Sequence, residues 1–151
     1  PKGAQAMLLR FFIYGILGWC AEIVWSAVPE KISGKQTDWR LVGRTYLWML
    51  PIYGLLAPLF EPLHDALRPW HWFMRGAVYV LGIWLVEYAT GWLLRWLTGK
   101  CPWDYSHLRG NLHGLIAWEY APVWFLFGLG MERVHDSLVE LTPALQRVLG
   151  F

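Results

Sequence analysis

Charge is scarce in this chain. Only 16% of its 151 residues are Asp, Glu, Lys or Arg, against about 25% in a soluble domain. The net charge is just +2 and no basic block is present, which excludes a nucleic-acid partner. Cysteine is nearly missing: Cys20 and Cys101 fall in an apolar run and a polar loop. They read as a buried free thiol and a free loop thiol, not a disulfide. There is no G-x-x-x-x-G-K-[ST] run, so no P-loop for ATP, and no H-E-x-x-H or C-x-x-C. Cys101 has no histidine placed to activate it, so the chain leans away from being an enzyme and no catalytic residue is assigned. Asp104 and His107 form too sparse a loop pair to be a metal site, and His113 is a lesser candidate for a relay. No metal ligand set is assigned, and the sequence names no cofactor.

Apolar residues, in contrast, make up 56% of the chain, with 12 Trp and 7 Tyr among the aromatics. Such rings favour the water–lipid interface. Four apolar runs cover residues 8–28, 46–63, 73–97 and 112–131, each long enough or nearly so to cross a bilayer at about 1.5 Å per residue. The fold expected is therefore an all-α integral membrane bundle of four transmembrane helices, one domain spanning residues 1–151, in the cell membrane. The first run is too long for a signal peptide and contains Glu22, so it reads as a retained span; Pro1 in place of Met reads as a trimmed start. Pro51, Pro58 and Pro62 predict a kinked or broken second helix. The tail, 132–151, places Leu138, Leu141, Leu145 and Leu149 at amphipathic spacing and suggests a helix on the membrane surface, interrupted at Pro143. Lys and Arg divide six against seven between the two sides, which gives no orientation.

Carboxylates inside these runs are costly, at roughly 2.5 kcal/mol or more each near mid-membrane. Glu22, Glu87 and Glu119 lie about 6, 3 and 3–4 Å from the centres of their spans by helix rise, all toward the same face. They are expected to converge on a polar, proton-titratable cavity, with Arg44 and Asn111 as partners, and at least one should have a raised pKa. Glu61 and Glu132 fall near the opposite surface, where Arg10 and Arg75 begin spans; interfacial ion pairs are expected there.

A faint repeat runs through the chain. Trp19 precedes Glu22 by three, as Trp84 precedes Glu87; Pro51 precedes Glu61 by ten, as Pro122 precedes Glu132. This suggests two parallel helical hairpins. Glycines on helix faces suit close packing and a homodimer.

Several blocks carry a resemblance. They are Gly18-Trp19-Cys20-Ala21-Glu22, then Gly43-Arg44 ahead of Trp48-Met49-Leu50-Pro51-Ile52-Tyr53-Gly54 with Glu61, and Glu87-Tyr88-Ala89-Thr90-Gly91. Cys101-Pro102-Trp103-Asp104-Tyr105-Ser106, Asn111, Gly114-Leu115-Ile116 and Trp124 complete the set. Over nearly all its length the chain resembles the putative ABC-transporter type IV, or CmpB-like, family of small multi-span membrane proteins. The resemblance implies a permease-like or transport-associated protein that needs a separate ATPase or other membrane subunit beside the lipid bilayer. Two further readings stand beside it: a membrane enzyme or lipid- or cofactor-binding protein using the same cavity, and a structural subunit of a membrane complex.

Overall fold

The computed structural model describes residues 2–32, 34 and 39–150, with the side chains of 2 and 29–31 outside that description. The described chain is mostly helical. It divides into two compact units: residues 1–60 with 142–151, and residues 61–141.

Among the described residues two helices are long and apolar enough to cross a membrane: Gly3–Val28, within α1 (Lys2–Ile32), and α4 (Trp72–Thr98). The second expected span is a broken rod, as its prolines predict. It consists of α2 (Met49–Gly54), a π-helical segment (Leu56–Phe60) and α3 (Glu61–Leu67). Pro58 and Pro62 bring no N–H to the ladder, and the wider π turn absorbs the break.

The fourth expected span begins later than its hydropathy suggests. Residues Asn111–Leu112 (β1) and Ile116–Ala117 (β2) form a short antiparallel hairpin pairing Asn111 with Ala117. His113 and Gly114 at its tip both have positive φ, 55° and 69°, which stops a right-handed helix at that point. A 3₁₀ turn, Trp118–Tyr120, then leads into α5 (Ala121–Leu149). α5 continues without interruption through the expected surface tail and through Pro143. Gly128 and Gly130, just before residue 131, do not take the positive φ that would end the helix. Its buried side chains include His135, Leu138 and Thr142.

In the first unit α1 packs on the α2 rod at glycines. A side chain at Gly18 would collide with the ring of Tyr53. Trp19 Nε1 donates to the carbonyl of Tyr46 at 2.9 Å, and the Ser26 hydroxyl accepts from Arg44 N at 2.7 Å. Those bonds hold the extended stretch 41–46 along α1.

In the second unit the loop after α4 is tied down strand by strand. Gly99 caps α4 in the left-handed conformation. Trp103 Nε1 donates to Leu115 O at 3.0 Å and Tyr105 N to Gly114 O at 2.8 Å. Leu115, Ile116 and Ala117 are buried beneath.

Candidate functional site

The strongest polar constellation lies in the second unit, on α3, α4 and α5. Residues at i, i+3 and i+4 share one helix face. On α3 these are Glu61, His64 and Asp65; on α5 they are Glu132, His135 and Asp136. The same E-x-x-H-D run therefore occurs twice, 71 residues apart. Sequence reading found only its first position, through the ten-residue spacing from proline; continuing the comparison four residues further would have found the rest.

The two runs face each other with exchanged partners. His64 Nδ1 lies 3.6 Å from Glu132 Oε1 and its Nε2 3.7 Å from Asp136 Oδ1. His135 Nδ1 lies 3.6 Å from Glu61 Oε1 and its Nε2 3.7 Å from Asp65 Oδ1. The rings meet edge to face with centroids 5.4 Å apart. Both histidines are 2% exposed and Glu61 is 6% exposed, which is rare for such groups without a purpose.

α4 supplies the surrounding donors. Arg75 grips Glu132 with two bonds, Nε to Oε1 at 2.8 Å and NH2 to Oε2 at 3.0 Å, a bidentate pair of the strong kind. Glu132 thus forms an ion pair, as expected for it. Tyr79, one turn on from Arg75, donates to Glu132 Oε1 at 2.9 Å and lies 2.9 Å from His64 Nδ1. Just past the end of α3, Arg68 bridges Asp65, at 2.9 Å, and Asp136. That bridge sets the charges. The hydrogen bond from Arg68 holds the Asp136 carboxyl below its usual range. His64, His135 and Asp136 each offer a donor atom within 4.8 Å of the others; these are the described residues best placed for a metal.

The residues singled out from the sequence sit elsewhere. Glu22, half-buried on α1, accepts from the Tyr53 hydroxyl at 2.8 Å. Glu87, half-buried on α4, accepts from the Tyr105 hydroxyl at 3.1 Å. Glu119 is exposed in the 3₁₀ turn ahead of α5 rather than deep in a span, and accepts from Gly110 N at 2.9 Å. That amide bond holds its carboxyl below the usual range, opposite to the rise expected of a buried acid. Arg44 is exposed and engages Ser26 through its backbone. Asn111 closes the hairpin, donating to Leu108 O at 2.6 Å and accepting from Gly114 N at 2.8 Å. The Cys101–Ser106 loop is bound to Glu87 through Tyr105 and to its own turn by Asp104, which accepts from Ser106 N at 2.9 Å. Cys20 and Cys101 are both free. Cys20 is exposed on α1, not buried as expected, and burial pushes the Cys101 thiol up.

A family model described as Putative ABC-transporter type IV matches residues 9–149. The chain belongs to this family. No solved structure matches it. In this ABC-transporter type IV chain both E-x-x-H-D runs and the Cys101–Ser106 loop fall inside the matched region. The family and the two apolar helices together indicate a membrane protein associated with transport.

Proposed function

We propose that the chain is a permease-like membrane component that passes a cation through the paired E-x-x-H-D site, with ATP hydrolysis supplied by a separate subunit. The observation that carries this reading is the exchange of partners between two buried histidines, each set against the Glu and Asp of the other run. Four carboxylates meet two guanidiniums there, so this half of the chain presents a surplus of negative charge to whatever enters. Ionisable groups buried this fully in the protein are costly unless paired and are candidates for an ion site.

In this reading α1 and α4 cross the bilayer, and the α2–α3 rod and the first half of α5 supply two further crossings of a multi-pass protein. Large apolar side chains exposed on the two long helices, such as Leu8, Ile16, Val24, Leu81, Leu85 and Trp96, then face hydrocarbon, where no aqueous penalty attaches to them. The acidic centre moves from Glu22, Glu87 and Glu119 to the paired runs. Glu22 ties α1 to α2 through Tyr53, worth about 0.6 kcal/mol on average in membranes, and Glu87 ties α4 to the following loop through Tyr105. The raised thiol of Cys101 argues against thiol-based catalysis.

Cation uptake into membrane vesicles from cells expressing the chain, with ATP present, tests the reading, because such vesicles retain any partner ATPase. Uptake should exceed that of vesicles without the chain and fall to their level in Glu132→Gln. Equal uptake in all three preparations overturns it.

A further inference from the structure

We propose that His64, His135 and Asp136 hold one divalent transition-metal ion. The inference rests on the cation-permease reading and names the class of ion.

The hydrogen-bond chain fixes which nitrogen is available. Tyr79 donates its proton to Glu132 Oε1. Its oxygen therefore accepts from His64, and His64 Nδ1 must carry the hydrogen. In the neutral ring that leaves the lone pair on Nε2, 3.7 Å from Asp136 Oδ1. A nitrogen lone pair and a carboxylate oxygen at that distance present two donor atoms to one cation. Metal-ligating histidines characteristically donate their second N–H to a carboxylate or a group bound to one, and the His64–Tyr79–Glu132–Arg75 chain has that form.

The donor set selects the ion. Two imidazoles and a carboxylate suit zinc, iron, nickel or copper; calcium and magnesium take oxygen ligands almost throughout. Zinc bonds of about 2.0–2.1 Å place neighbouring donors roughly 3.3 Å apart. The three donors lie within 4.8 Å of one another, so rotamer adjustments of about an ångström close the site. Charge agrees. Glu61, Asp65, Glu132 and Asp136 against Arg68 and Arg75 leave two formal negative charges in this unit, which one divalent ion neutralises. Two protonated imidazoles would neutralise them as well, and the experiment separates the two.

The full chain, purified in detergent and stripped with chelator, is titrated with Zn2+ by calorimetry, and with Co2+ followed by visible absorption. One ion per chain is expected, with cobalt bands that report imidazole ligation. Binding should vanish in His135→Ala and in Asp136→Asn, both checked for helix content by circular dichroism, and remain in His107→Ala. Tyr79→Phe, which leaves all three donors in place, should weaken binding about 10–100-fold. Absence of Zn2+ and Co2+ binding to the folded wild type, or binding unchanged in the folded Asp136→Asn protein, overturns the site and favours protonated imidazoles. Binding of Ca2+ or Mg2+ in preference overturns the ion class. Metal binding without vesicle uptake upholds the site and defeats the permease reading; cation uptake without it does the reverse.

Discussion

Tyr79 and His64 lie 2.9 Å apart, phenolic oxygen to ring nitrogen, at the point where α4 meets α3. Both are 2% exposed. The same oxygen donates to Glu132, so one hydroxyl connects three helices. Removing it in Tyr79→Phe leaves a buried imidazole N–H without its acceptor, at a cost of about 1–3 kcal/mol. A fall in the thermal midpoint of the detergent-purified protein is expected; an unchanged midpoint would place the bond outside the stable structure.

Arg75 and Glu132 form the bidentate pair beside it. Glu132→Ala leaves the guanidinium half-buried and uncompensated, which costs about 3–5 kcal/mol when the pair is well desolvated. Glu140, exposed farther along α5, provides the contrast: Glu140→Ala should lie within about 0.5 kcal/mol of wild type. Denaturant unfolding of both variants checks the ordering.

Gly128 and Gly130 on α5 make opposite predictions two residues apart. A Cβ at Gly128 would lie 2.5 Å from Tyr79 Cβ, whereas one at Gly130 meets nothing within 4 Å. Gly128→Ala should destabilise by about 1–3 kcal/mol through overpacking. Gly130→Ala should stabilise by up to about 1 kcal/mol from helix propensity. Thermal unfolding in detergent measures both, and equal shifts would contradict the packing described.

Asp104 sets a pH dependence for the loop after α4. Its bonds to Ser106 hold the carboxyl below the usual range. The folded pKa is depressed, so the stabilisation is present above the ordinary carboxyl pKa of about 3.9 and is lost as pH falls through the folded value. Hydrogen exchange at the Ser106 amide, corrected for intrinsic rates, should lose protection below that range. In Asp104→Ala the protection should be missing at every pH.

Much of this was legible in one dimension. The apolar runs give α1 and α4 because a bilayer-length stretch of Leu, Ile, Trp and Phe has few other stable forms. Three prolines fix the broken α2–α3 rod because each removes a donor at a known position. The Arg75–Glu132 pair could be anticipated because both fall at the same end of neighbouring spans. The start of the last helix was not legible: residues 112–120 are as apolar as a span, and only the positive φ at His113 and Gly114 turns them into a hairpin. Glu119 was misplaced with them, since its depth was counted along a helix that begins two residues later.

By itself, then, the sequence determined the class: a helical membrane protein of the ABC-transporter type IV family, with several acidic groups in and beside its apolar runs. The tertiary structure decided which of them act together. Side-chain periodicity places Glu61, His64 and Asp65 on one face of α3 and Glu132, His135 and Asp136 on one face of α5. Whether those faces meet depends on packing between residues 71 apart, and hydropathy along a chain has no term for that distance.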